Sequence, residues 1–194
     1  DIVFPFLTPE GELALVKIRK ARQNENPKPT AKDCEPILFG WPAITPDARS
    51  VVITEGEIDA LSMYAYGHPA LSVPFGGGKG AKQQWIENEV ERMQRFERIY
   101  LALDMDRPGD EACEEIAGRL GRHRCLRVKL PRKDANDCLV DGVTKAEIDQ
   151  AIAEAAGLDP EGLRRPSAYA VDVSRLFWPA PEDHSGYAMP YGKV

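Results

Sequence analysis

Three carboxylates, Glu55, Asp104 and Asp106, each follow a short apolar run: Val51-Val52-Ile53-Thr54 precedes the first, and Ile99 to Leu103 precedes the other two. Such runs read as buried parallel strands, and the crevice beyond the carboxyl ends of those strands is where open parallel sheets bind ligands. Carboxylates gathered in one crevice repel each other and take up protons unless a cation stabilises their charge. Oxygen-only ligands favour Mg²⁺ or Mn²⁺, which keep waters and bind substrate phosphates as well. The chemistry expected of these residues is therefore divalent-metal binding. Asp-x-Asp alone is weak support, since such acids also cap helices and end turns. Glu57 and Asp59 likewise suit the first turn of a helix on dipole grounds alone. The weight falls on the combination of two strand ends.

The scaffold for these acids reads as repeating β–α units starting at Ser50. Strand 51–53 is followed by a helix with Ile58, Leu61 and Ala65 at helical spacing, then strand 70–73 and the loop Gly76-Gly77-Gly78. Ile86, Val90 and Met93 mark a second helix, Ile99 to Leu103 a third strand, Ala112, Ile116 and Leu120 a third helix, and Cys125 to Leu130 a fourth strand. Ile148, Ala151, Ile152 and Ala155 suggest one more helix. Alternation of this kind implies an α/β fold, a parallel sheet with helices on both faces. Upstream, Ile2 to Phe6 and Leu13 to Lys20 read as a small β region turned at Pro9-Glu10-Gly11, with Pro36 to Phe39 a further short strand. In the second of these strands Val16 and Ile18 alternate with Lys17 and Arg19, which predicts an apolar face opposite a basic one. Beyond Gly157, scattered prolines read as an irregular C-terminal linker. The expected division is a β-rich N-terminal subdomain over 1–48, the α/β domain over 49–157 and a linker over 158–194.

The 194 residues carry a formal charge of −6, which argues against general nucleic-acid affinity, but the charges are unevenly placed. Six cations against one acid lie between Val16 and Lys32, and seven cations with no acid between Arg119 and Lys133, while acids crowd from Asp104 to Glu115. That layout suits a site that handles phosphates through metal ions, and equally suits the solvated faces of ordinary elements. Gly76-Gly77-Gly78-Lys79-Gly80 lacks P-loop spacing and is better used where a backbone must approach closely. Trp41, Phe75 and Trp85 are left out of the site, Trp85 because it adjoins the Ile86 stripe. His68, His123 and His184 are isolated. Cys34, Cys113, Cys125 and Cys138 fit neither a zinc ribbon nor a disulfide framework and read as small apolar residues of a reducing compartment. No apolar run reaches the roughly 18 residues that span a bilayer, and a cytoplasmic protein is expected. A first residue of Asp1, not Met, suggests a fragment or processed product.

Val51 to Leu61, with Glu55-Gly56-Glu57 after the strand, resembles the first TOPRIM motif, and Leu101 to Gly109, with Asp104-Met105-Asp106, resembles the second. Leu130-Pro131-Arg132-Lys133-Asp134-Ala135-Asn136-Asp137 is similar to a segment of phage and Twinkle-type primase–helicases, and Leu38-Phe39-Gly40-Trp41 matches their lead-in to the TOPRIM fold. The resemblance covers residues 1–142. It implies a TOPRIM domain of a bifunctional DNA primase–helicase, a nucleotidyltransferase making short RNA primers on single-stranded DNA from ribonucleoside triphosphates, in a bacterial or phage-infected cell at the nucleoid. It further implies Glu55, Asp104 and Asp106 as metal-binding and catalytic acids and Asp134 as an additional ligand or ligand-orienting group, with Asp59 a weaker candidate. Lys133 is then a catalytic phosphate-reaching cation, and Lys17, Arg19 and Lys133 grip nucleotide or template. Residues 169–194 resemble the approach to a RecA-like helicase domain of the same parent chain. Two other readings share these acids: a catalytically silent module that binds DNA and couples to the helicase, and a TOPRIM nuclease.

Overall fold

The structure, a computed structural model, describes residues 1–20, 28–29, 34–159 and 166–177. Residues 1–158 form one compact unit and 159–194 a second.

The first unit is built on a five-stranded sheet ordered β5-β4-β6-β7-β8, with β4 Ser50–Thr54, β5 Ala70–Ser72, β6 Arg98–Ala102, β7 Cys125–Arg127 and β8 Ala156–Gly157. The first four run parallel, and β8 closes the edge antiparallel to β7. Pleating sends alternate residues to opposite faces, and both faces are covered. Val51, Ile53, Ile99 and Leu101 join Trp85, Ile86 and Met93 of α2 (Trp85–Met93) and Ala112, Cys113 and Ile116 of α3 (Arg107–Leu120). Val52 and Ala102 face Ala60 and Met63 of α1 (Glu57–Ala65), Ala135 and Cys138 of α4 (Ala135–Val140) and Ile148 of α5 (Lys145–Ala153). This is the α/β architecture expected from the alternating runs.

Several details differ from the sequence reading. In α1, Leu61 and Ala65 face solvent, while Ala60, Met63 and the following Tyr66 pack inward. Val90 of α2 stays 36% exposed, and its turn of the stripe is taken by the buried carboxylate of Glu89. That carboxylate accepts from Leu38 N at 2.8 Å, Trp41 Nε1 at 2.9 Å and Arg92 Nη1 at 3.2 Å, which meets its need for partners. The strand expected over 36–39 shrinks to one bridge, Phe39 to Ser72, because the chain turns at Gly40 into a 3-10 turn at Trp41–Ala43. The fourth strand ends at Arg127, not at Leu130.

The N-terminal segment folds as a second, antiparallel sheet of β1 Ile2–Leu7, β2 Leu13–Arg19 and β3 Lys28–Pro29. Phe4, Phe6, Leu15 and Ile37 form its core, with Phe39 set edge-on to Phe4 and Phe6 at centroid distances of 6.0 and 5.3 Å. Burial reverses the face expected for β2: Leu15 and Lys17 are buried, and Val16 and Ile18 are only partly so. In the second unit a 3-10 turn, Pro166–Tyr169, leads into α6, Ala170–Phe177. Of the segment 169–194 expected to approach a helicase domain, residues 178–194 lie outside the described residues, as do His184 and most of the basic loop after Lys20. Among the described residues no helix is long and apolar enough to cross a membrane.

Candidate active site

At the carboxyl ends of β4 and β6 lies a cleft of about 530 Å³. Lys17, Arg19, Glu55, Asp104, Lys133 and Asp134 line it, as does the weaker candidate Asp59, whereas Asp106 is not part of its wall. Parallel pairing of β4 with β6 fixes this meeting, since Thr54 lies opposite Ala102 and both strands end at the same edge.

Glu55 is held by the glycine loop. A Cβ on Gly77 would stand 2.5 Å from Glu55 Oε2 and 2.8 Å from Oε1, so any larger residue there would push the Glu55 carboxylate out of its place. The loop is secured by Lys82 Nζ donating to Gly77 O at 2.7 Å and Gln83 Nε2 donating to Gly78 O at 2.9 Å. Burial raises the Glu55 pKa and the charges of Asp104 and Asp106 add to the rise, while the Gly77 and Asp104 amides oppose it. Glu55 Oε2 is buried without a hydrogen-bond partner.

Asp104 follows β6 and is also raised by burial, against the opposing pull of Lys133, whose Nζ stands 3.2 Å from Asp104 Oδ2. Lys133 is correspondingly pushed up by that hydrogen bond. Met105 N donates to Lys133 O at 2.7 Å, tying the Asp-x-Asp turn to the loop that carries Lys133 and Asp134. Asp106 caps α3 by accepting from Gly109 N at 2.9 Å, and Asp134 caps α4 by accepting from Asp137 N at 2.7 Å. The capping role weighed for Asp-x-Asp is therefore real for Asp106, while Asp104 is the acid of the pair that lines the cleft.

An acid, hard-oxygen donor set suits a divalent cation, and the orphaned buried Oε2 of Glu55 is an acceptor that such a cation satisfies. Among the described residues no three His, Cys, Asp or Glu side chains stand in ligand geometry as they are. Lys133 engages Asp104 directly, and Asp106 and Asp134 each give an oxygen to a helix amide.

The cleft wall differs in two details from the sequence reading, the burial of Lys17 and the presence of Phe75. Lys17 is 6% exposed, pairs with Glu57 and donates to Pro74 O at 2.7 Å, with its ammonium 5.5 Å from the Phe6 ring centroid. Phe75, set aside on sequence, lines the cleft at 38% exposure, while Trp41 and Trp85 are core. The basic stretch 119–133 is mostly structural. Arg119 serves Gln83 O and Glu87, Arg122 serves Glu114 and Leu158 O, and Arg124 serves Leu120, Met93 and Phe96 carbonyls. Of that stretch, only Lys133 lines the cleft.

Asp59 is the most perturbed acid here. Its Oδ1 accepts from Asn136 N at 2.9 Å, and burial lifts its pKa from the ordinary 3.8 to about 7, helped by the charges of Asp134 and Asp104 and opposed by the Asn136 amide. A carboxyl with a raised folded pKa holds its proton more tightly folded than unfolded, so its contribution is present below about pH 4 and is lost as pH rises to about 7. Asp59→Asn is therefore expected to flatten the fall in metal-free stability across that window, by up to about 1.4 kcal/mol per pH unit. Urea unfolding with a chelator at a series of pH values measures it; an unchanged slope contradicts the assignment.

A family model described as Toprim-like matches residues 52–139, from β4 into α4. A chain from the solved complex of bacteriophage T7 lagging-strand DNA polymerase with primase domains superposes with a TM-score of 0.69 at 30% identity, covering 80% of this chain and 78% of that one. The chain belongs to the Toprim-like family. Among curated relatives, the Twinkle homolog protein, chloroplastic/mitochondrial, of Arabidopsis thaliana is 37% identical over 124 residues, 54% of this chain and 17% of that protein. The DNA helicase/primase of Enterobacteria phage T3 is 33% identical over 143 residues, 72% of this chain and 24% of that protein. The chain thus spans a quarter or less of these relatives' own length. The Toprim-like match encloses Glu55, Asp104, Asp106, Lys133 and Asp134 and leaves Lys17 and Arg19, on the N-terminal sheet, outside it.

Proposed function

We propose that this chain is the RNA-synthesising domain of a DNA primase, working beside a helicase domain in its parent protein. The observation that carries the reading is the convergence of Glu55 and Asp104 in one cleft with Lys133, Asp134, Lys17 and Arg19. The likeness to a phage helicase/primase and to a chain from a complex containing primase domains supports it. In this reading 1–48 is the β-rich wall of the cleft, 49–157 the catalytic domain and 158–194 the link to the helicase.

Glu55, Asp104 and Asp106, with Asp134, would hold Mg²⁺ or Mn²⁺. An ion held there would supply Lewis acidity at a 3′-hydroxyl and would neutralise charge on a nucleoside triphosphate. A bond forms from the 3′-oxygen to the α-phosphorus as the bond to pyrophosphate breaks, and the hydroxyl proton passes to solvent. Lys133, more than half exposed at the mouth, is free to turn from Asp104 toward a phosphate oxygen. Arg19, which also lines the cleft, offers a bidentate donor. Phe75 presents an aromatic face for a base of the single-stranded template. Replication places such a protein in the cytoplasm at the nucleoid.

The test is incubation of the chain with labelled ribonucleoside triphosphates, Mg²⁺ or Mn²⁺ and single-stranded DNA. Template-dependent oligoribonucleotides are expected. DNA binding without synthesis points to a silent coupling module, and metal-dependent strand cleavage points to a nuclease; either result overturns the proposal.

A further inference from the structure

Arg127, on β7, is 4% exposed, and the acid it meets, Asp110, is itself 56% exposed. A guanidinium carries five N–H donors in a rigid fork. Nη1 donates to Leu103 O at 2.9 Å and, longer, to Leu101 O at 3.4 Å. Nη2 donates to Asp104 O at 2.8 Å and stands 2.9 Å from Asp110 Oδ1, to which Nε also donates at 3.1 Å. Each donor thus has an acceptor inside the protein, and none remains for a phosphate. That separates Arg127 from a nucleotide-binding cation, whatever its place in a basic stretch.

The acceptors themselves say what the fork does. β6 ends at Ala102, so the carbonyls of Leu103 and Asp104 lie past the named strand, where a buried carbonyl without a donor is costly. Those carbonyls belong to the turn that presents Asp104 and Asp106. Asp110 lies in the first turn of α3, the helix that Asp106 caps. One side chain therefore joins the strand end to the helix start on either side of Asp-x-Asp, while Met105 N bonds Lys133 O from the other side.

We propose that Arg127 is a positioning residue, which sets the direction of the Asp104 and Asp106 carboxylates for a divalent cation; this rests on the metal-site reading above. Lys129, 68% exposed and 3.5 Å from Asp110, has neither the reach nor the geometry for that task. A lysine at 127 offers three donors from a single nitrogen and cannot span two carbonyls and Asp110 together.

The test titrates Mn²⁺ into the full chain by calorimetry, and follows hydrogen exchange of the Met105 amide in the metal-free chain. Arg127→Lys is expected to raise the Mn²⁺ Kd about tenfold or more and to speed exchange at Met105 while β4 amides stay protected. Asp110→Ala, a surface change that leaves the fork less constrained, is expected to raise the Kd about threefold, and Lys129→Ala to leave it within about a factor of two. Should Arg127→Lys fail to fold, the Asp110→Ala result decides. A packing role alone lowers the urea midpoint and leaves both Kd and Met105 exchange unmoved, which overturns the proposal. If the wild-type chain binds no Mn²⁺, the metal-site reading falls, and the exchange measurement still decides whether Arg127 holds the turn.

Discussion

Asp104→Asn is expected to remove most of the Mn²⁺ affinity and nearly all RNA synthesis, while leaving the metal-free fold at least as stable as wild type. The two halves follow from one cause. The Asp104 side chain is 15% exposed, and burial raises its pKa, so its charge is a burden on the folded state that only Lys133 relieves. An amide of the same shape carries no such burden, and Lys133, 58% exposed, returns to water without penalty. For a metal-bound substrate the same charge is indispensable. Losing about 4 kcal/mol of charge stabilisation in the transition state slows synthesis about a thousandfold. Labelled-nucleotide incorporation and urea midpoints with a chelator give the two readouts. A variant that keeps wild-type synthesis, or that loses synthesis only because it unfolds, would sink the assignment of Asp104 to the reaction.

That opposition between stability and use also explains which parts of the protein were legible in its sequence. Short apolar runs announced β4 and β6 because both faces of this sheet are buried, and acids placed just past them were bound to reach one edge. The stripe Ala112, Ile116 and Leu120 placed α3 for the same reason. Lys17 was legible as a cation near the site and illegible as a buried one, because alternation sends a charged residue to solvent unless a partner waits inside. Its partner, Glu57, is forty residues away in sequence. Arg119, Arg122, Arg124 and Arg127 looked like a phosphate-binding run for a similar reason: their acceptors are main-chain carbonyls and distant acids, which composition does not reveal. Helix α4 escaped because six residues show too little periodicity, although Asp134 three places before Asp137 carries the cap that starts it. Phe75 escaped because a lone aromatic beside a glycine loop has no pattern to report. What burial on two faces dictates could be read; what depends on one long-range partner could not.

Gly109→Ala is expected to damage stability and the site together, through close approach and not through backbone torsion. Gly109 lies in the first turn of α3, where any residue's helical angles are allowed, but a Cβ there would collide with the carbonyl oxygen of Asp104 and stand 3.0 Å from its carbonyl carbon and 3.2 Å from its amide nitrogen. All three are main-chain atoms, so no flexible side chain can yield. The same carbonyl is gripped by Arg127 Nη2 at 2.8 Å, and the amide of Gly109 donates to Asp106 Oδ1 at 2.9 Å. Relief of the collision must therefore separate strand end from helix start, loosening the Arg127 contact and the Asp106 cap in the same movement. Overpacking costs about 1–3 kcal/mol and a lost cap about 1 kcal/mol more, so a total near 3 kcal/mol is expected. Gly118, on the same helix, supplies the control: a Cβ there meets nothing within 4 Å. Gly118→Ala should stabilise the chain by about 0.5–1 kcal/mol, because alanine loses less backbone entropy in a helix. Urea unfolding of the two variants, with Mn²⁺ titration of each, separates helix propensity from site geometry. Equal midpoints for Gly109→Ala and wild type would show that α3 and the Asp104 turn are not in contact, and the account of how this fold aims its acids would have to be abandoned.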